Sequence, residues 1–217
     1  MGSPKILMHS GIGPRDHLTN LNIEVIEDLP VGENLQDHVT TLIDVLLNQS
    51  IDTSLADIFN PINMIEYLWN GKDTPYSLGG ADAMGFIKLN ESSAVPDLSF
   101  ILIPTGITID YGLHLRKTVN LREDIWKEYY EKLIGQTSAT ILPVLLHPKS
   151  VGRIQLKSKN FNDPLIIDPN YLDVKDDVDK LISGIRIIQK LLETSPMKQF
   201  NAELIPKTFP GCEGHVY

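Results

Sequence analysis

The chain has 217 residues, 42% of them apolar and 22% charged, which is long enough for one or two domains with a real core. A formal charge of −9 leaves no basic stripe to displace counterions from phosphates, and this argues against a nucleic-acid partner. No apolar run reaches the roughly 20 residues that a membrane helix needs, and the single cysteine, Cys212, excludes an internal disulfide or a cysteine-rich metal site.

The first stretch, Gly2 to Pro14, reads as a short helix capped by Ser3, with Pro4 in its first turn and Gly11 as its left-handed stop. Gly13 keeps the backbone bare where another surface could approach. Residues 15–20 add a helical turn, and Ile23 with Val25 predicts a short strand. Leu29-Pro30-Val31-Gly32 breaks it and leads into a loop dense in donors and acceptors, Asn34 to His38. Val39 to Leu47 is β-rich and predicts a strand. A helical stretch follows from Leu55 to Asn70, restarted by Asn60-Pro61 and ended by Gly71. Pro75 to Gly80 is turn-rich, while Ala83–Leu89 and Leu98–Ile103 predict strands.

Residues 105–119 carry no clear period. Asn120 with Glu123 three residues later has the capping-box pattern, opening a helix with Ile125, Trp126, Tyr129, Leu133 and Ile134 on its buried face. Thr137–Leu146 and Arg153–Lys157 predict strands, the second with one wet face. Ile166-Ile167 predicts a short buried step. The longest helix runs from Asp176 to Glu193, striped by Val178, Leu181, Ile182, Ile185, Ile188 and Leu192. Strands in series with helices between them suggest an α+β chain, with a mixed, mainly antiparallel sheet backed by helices. There are no internal repeats.

Three blocks carry a resemblance. Gly2-Ser3-Pro4 through Leu7-Met8-His9-Ser10-Gly11-Ile12-Gly13-Pro14 resembles the second signature of the glucose-methanol-choline (GMC) flavin oxidoreductases. Val31-Gly32-Glu33-Asn34-Leu35-Gln36-Asp37-His38 is similar to the loop that follows it in that family. Pro148 to Ser158, then Asp168-Pro169-Asn170-Tyr171-Leu172, resembles the start of the family's C-terminal segment. The order and distances match, and the wording is closest to the insect glucose-dehydrogenase-like branch.

The resemblance implies a division of the chain. Residues 1–40 would be part of an FAD-binding domain, an α/β remnant. Residues 41–205 would be a substrate-binding domain, with the C-terminal segment beginning at about 148, and 206–217 a tail. It implies a parent enzyme more than twice as long, with a G-x-G-x-x-G unit and a His-Pro-Val-Gly-Thr-like stretch bearing the catalytic histidine. Neither motif occurs here, so the chain reads as an internal fragment with no catalytic residue of its own. The implied cofactor is FAD. The implied parent chemistry is oxidation of a sugar or other alcohol, with hydride passing to flavin N5 and electrons to an acceptor.

The candidate cofactor contacts are Ser10, Gly11, Gly13, Asn34, Leu35, Gln36, Asp37 and His38, with Asn34 and His38 as contacts and Asp37 as a brace. Taken alone, the two glycines also read as a helix stop and a turn, and the loop as a hydrogen-bonded brace between strands. Gly80 and Asp82 take the place where the family often has a glutamate beside the substrate pocket. A turn carboxylate is the other reading of Asp82. His9, His17, His114 and His147 have no metal-ligand spacing and read as structural or surface residues. The run Asp173, Asp176, Asp177, Asp179 reads as a solvated helix start that complements the dipole. A non-catalytic module keeping a sugar- or partner-binding surface stays open as the second functional reading.

Overall fold

The computed structural model describes residues 1–48, 60–71, 81 and 83–214. They form two compact units: residues 1–39 with 145–180, and residues 40–144 with 181–217.

In the first unit, α1 (Gly2–His9) starts from Met1 with no side-chain cap. Ser3 therefore lies inside the first turn instead of capping it, and Pro4 sits where a missing N–H costs nothing. The helix ends as its glycine predicts. Gly11 has φ +82°, its N–H bonds the Met8 carbonyl, and the Ile12 N–H reaches back to Leu7. α2 (Arg15–Asn20) follows. The strand expected at Ile23 shrinks to a single parallel bridge, Ile12 to Glu27, because its partner is only the Gly11–Gly13 turn. Ile23 and Val25 instead pack on the core of Met8, Leu18 and Leu156.

The second unit holds a six-stranded sheet. Its strands are β1 (Val39–Thr40), β2 (Ile43–Leu46), β3 (Ala83–Ile87), β4 (Leu98–Ile103), β5 (Ser138–Leu145) and β8 (Glu203–Leu204). The order is β3-β4-β5-β2-β8, with β1 also on β5, and the pairs β3–β4, β2–β5 and β2–β8 are antiparallel. The predicted strand Val39–Leu47 is split at Thr41-Leu42. One sheet face, Val45, Leu47, Ala139 and Ile141, buries against Ile188 and Leu192. These lie on the long helix Lys175–Leu192, whose first residues to Lys180 belong to the first unit.

Period 2 sends Asp44 and Thr140, cross-strand partners, to the opposite face. That face meets a second cluster of Ile107, Trp126 and Tyr130. Residues 105–119 are organised by Asp110, whose carboxylate accepts the N–H groups of Gly112, His114 and Leu115. Gly112, at φ +76°, lies flat against the Trp126 ring, where a Cβ would stand 2.4 Å from a ring carbon. Asn120 is no cap: it takes φ +51°, and the helical turn begins at Glu123, which pairs with Arg116. The following turn widens to a π-helix over Trp126–Tyr130, and this adds Tyr130 to the buried face.

Between β3 and β2 in sequence, the helix Pro61–Asn70 is as predicted. Asn60 caps the Ile62 N–H and Gly71 closes it at φ +61°. The expected helical residues 55–59 and the turn 75–80 lie outside the described residues. In the first unit, β6 (Arg153–Gln155) pairs antiparallel with β7 (Ile166–Asp168). Ile166 and Ile167 are about half exposed rather than buried, because among the described residues no second layer covers this two-stranded ribbon.

Candidate functional site

The glycine turn at the end of α1 is shaped by its own chain. A Cβ on Gly11 would stand 2.5 Å from the Glu24 carbonyl oxygen, and one on Gly13 would stand 2.9 Å from the Met8 side chain. Ser10 donates its hydroxyl to the Ile6 carbonyl at 2.8 Å and stays exposed. Both glycines thus have a local steric reason.

The loop from Val31 to His38 is laid along β6. The Ile154 N–H bonds the Gly32 carbonyl at 2.7 Å, and Leu35 and Gly152 exchange two backbone bonds of 3.0 and 2.8 Å. Gly32 has φ +87°, and a Cβ there would lie 2.2 Å from the Ile154 carbonyl oxygen. Gly152 is equally tight against β7, 2.2 Å from the Asp168 carbonyl oxygen. Three backbones therefore run at contact distance, and only glycine permits it. Leu35 is half-buried, whereas Asn34, Gln36, Asp37 and His38 are exposed.

Asp37 ties the loop's end. One carboxylate oxygen accepts the His38 N–H at 2.9 Å, and the other accepts the Tyr171 hydroxyl at 2.9 Å, from 134 residues away. That bond raises the Tyr171 phenol above its ordinary pKa. The side chains of Asn34, Gln36 and His38 have no hydrogen-bond partner among the described residues. Two amides and an imidazole thus stand on a fixed backbone with their donors and acceptors free.

Behind the loop, Asp177 corrects the reading of the acidic run as solvated. It has no exposed surface and accepts the N–H groups of Lys149 and Ser150 and the Ser150 hydroxyl, the last at 2.6 Å. Burial alone would raise this carboxyl. The Lys149 N–H, the Ser150 hydroxyl and N–H, and the Lys180 charge outweigh it and hold the pKa below the usual range. The Ser150 Oγ in turn accepts the Val174 N–H. The entry to 150–156 is therefore fastened to the start of the long helix. His17 fastens the other end, its Nε2 accepting the Leu156 N–H at 3.1 Å, which requires a neutral ring protonated at Nδ1. Burial lowers its pKa in the same sense.

Two open hollows flank this ribbon. One of about 690 Å³ is lined by Arg15, Asp16, His17, Asp28, Glu33 and Gln155 among others, and one of about 370 Å³ by Glu33, Val151, Arg153, Asp168 and Asn170 with Gly152. Neither is lined by Asn34, Gln36, Asp37 or His38. Gly80 and Asp82 lie outside the described residues. Gly32, Gly152, Tyr171 and the Asp177–Ser150 pair were not singled out from the sequence. The signal for the glycines was present in the doubled Pro-Val-Gly and Ser-Val-Gly patterns, but partners 27 to 134 residues away leave no local trace.

Residues 148–216 match the family model described as GMC oxidoreductase. Glucose dehydrogenase [FAD, quinone] of Drosophila melanogaster is 30% identical over 100% of this chain and 32% of its own length. Ecdysone oxidase of Bombyx mori is 33% identical over 97% of this chain and 31% of its own. The crystal structure of formate oxidase superposes with a TM-score of 0.72 at 20% identity, covering 96% of this chain and 38% of that one, a likeness of fold. The chain spans about a third of the length of the curated relatives it matches. The antiparallel sheet backed by helices is therefore part of a larger flavoenzyme architecture in those proteins.

Proposed function

We propose, starting from a chain that belongs to the glucose-methanol-choline oxidoreductase family, that its first unit supplies part of an FAD-binding face and its second unit part of a substrate-binding domain. In this reading residues 1–40 contribute the cofactor side and residues 41–205 the substrate side, with the family's C-terminal segment starting near 148 and residues 206–217 as a tail. The parent reaction is oxidation of a sugar or other alcohol, with a quinone-like or oxygen acceptor.

The observation that carries the cofactor reading is the pinned loop. Its backbone is fixed by Ile154, Gly152 and Tyr171, yet Asn34, Gln36 and His38 keep unpaired polar groups at the surface. Such a donor set suits the oxygens and ring nitrogens of a flavin nucleotide. Ser10, Gly11 and Gly13 shape the adjoining turn, and Leu35 anchors the loop. Asp37 orients the His38 N–H and is committed to Tyr171, so its role is to hold the loop's shape. When bound, FAD supplies the hydride acceptor. The protein's share at this face is to bind and orient.

No G-x-G-x-x-G or His-Pro-x-Gly-Thr motif lies within the 217 residues. The chain alone is therefore expected to hold FAD weakly and to oxidise no alcohol. Purified chain incubated with FAD and desalted should come through colourless. FAD titrated at millimolar concentration should shift the NMR signals of residues 34–38 before any others. Titration that leaves those signals unmoved would falsify the cofactor-face reading, and stoichiometric retained flavin would overturn the weak-binding one.

A further inference from the structure

The sheet face opposite the main core holds Asp44, 8% exposed, with Thr140 directly across the strand pair. The Thr140 Oγ1 lies 2.5 Å from Asp44 Oδ1 and 3.0 Å from the Thr105 carbonyl oxygen. A hydroxyl has one hydrogen to give. The carbonyl can only accept, so if Thr140 donates there, the short contact to Asp44 needs its hydrogen from the carboxyl. The other carboxyl oxygen, Oδ2, is buried and has no hydrogen-bond partner among the described residues. Beside the carboxyl, Leu46, Ile107, Leu133 and Ile205, together with Thr108, Tyr130 and Ser138, close a space with no room for a water molecule. A carboxylate placed there would leave one oxygen shut off from water, at a cost that a neutral acid avoids.

From this donor count we propose that Asp44 is a proton-binding site: it is a carboxylic acid in the folded chain at neutral pH, and its O–H donates to Thr140, which donates to Thr105. The titratable groups facing it among the described residues are Tyr130 and Tyr129, both from the π-helical turn. β5 and the 105–108 stretch present Thr140, Ser138 and Thr108, and the chain after β8 presents Ile205; none of these titrates. Among the described residues no cation acts on it to favour the charged form. Burial pushes the carboxyl above the usual carboxylate range, against the smaller opposing pull of Thr140 and Tyr130. Burial, the first cause, also pushes the Tyr130 phenol up, so the hydroxyl beside Asp44 keeps its proton.

The proton is held by the fold and released on unfolding. Stability from this group is therefore fully present below the unfolded carboxyl value and is lost as pH rises towards the folded one. Asp44→Asn separates the alternatives, because its amide N–H₂ donates where the acid does and never titrates. Denaturant unfolding of the full chain would be compared between the two proteins from pH 4 to 8. The wild-type unfolding constant should rise relative to the variant's by about tenfold per pH unit until the folded pKa is passed. At pH 7 the variant should be at least as stable as wild type. A ratio that stays flat or falls with pH, or a variant that fails to fold, overturns the proposal. On the wild-type chain itself, the Asp44 carboxyl carbon should keep its protonated NMR shift from pH 4 to 7, and a titration step near pH 4 would overturn it as well.

Discussion

Asp177 in the first unit and Asp44 in the second are both sealed from solvent, and the chain treats them in opposite ways. Asp177 is met by two backbone N–H groups and a hydroxyl that can all donate at once. Asp44 is met by a threonine, whose hydrogen is also wanted by a carbonyl, and by the Tyr130 hydroxyl, and together their pull is smaller than the cost of burial. Burial penalises the charged form at both sites, but only the first offers enough donors to replace water. What decides the state of a buried carboxyl is the donor count around it, and the same residue type becomes an anionic clasp in one unit and a neutral acid in the other.

The comparison breaks most sharply at Asp177. Asp177→Ala leaves the Lys149 and Ser150 groups buried without an acceptor and should cost about 3 kcal/mol in denaturant unfolding. Loss of less than about 1 kcal/mol would mean that the clasp is dispensable. The pH dependence should also invert between the two sites. Asp177 has a depressed folded pKa, so its contribution is present above the unfolded value of about 4 and is lost as pH falls through the folded one.

Backbone positions sharpen the contrast next. Gly32→Ala forces a Cβ to 2.2 Å from a carbonyl oxygen at φ +87° and should cost about 2–3 kcal/mol. Gly71 in the second unit has φ +61° with nothing within 4 Å of a Cβ among the described residues, and its alanine variant should lose only about 1 kcal/mol, the conformational part alone. Equal losses in thermal melts would remove close packing as the reason for Gly32.

A smaller effect belongs to His17. Its depressed pKa means that its contribution is present above about 6.5 and is lost as pH falls through the folded value, when Nε2 gains a proton and faces the Leu156 N–H. The loss should be about 1 kcal/mol, the worth of one hydrogen bond, and absent in His17→Ala. Smallest of all is Lys175→Ala, which breaks an exposed pair with Asp179 and should leave the denaturant midpoint unchanged.

These sites also mark what could be read beforehand. Periodicity located the long helix to within a residue, because it buries one regular face, and the prolines on either side located β4. The cap and glycine stop of Pro61–Asn70 were legible because their partners lie within four residues. Asn120 failed as a cap because Glu123 found Arg116 instead. Asp177 looked solvated because its donors sit 27 and 28 residues upstream. The loop 34–38 was visible as a cluster of polar side chains, but the Tyr171 hydroxyl and the glycine contacts that hold it still are long-range and left no local pattern. Asp44 sat unremarked in a β-rich run, since alternation alone gives it a wet face that this fold closes.

The first unit joins residues 1–39 to 145–180, with about a hundred residues of the second unit between them. During synthesis at roughly 5–20 residues per second, the amino-terminal stretch is therefore made some 5–20 seconds before its partner exists. For that interval Met8, Leu18 and Val31 have no Leu156 or Leu165 to cover them. The intervening residues can pair β2 to β5 in the meantime, but that unit's own core waits longer still, for Ile188, Leu192 and β8. During that wait the segment is open to chaperones and proteases.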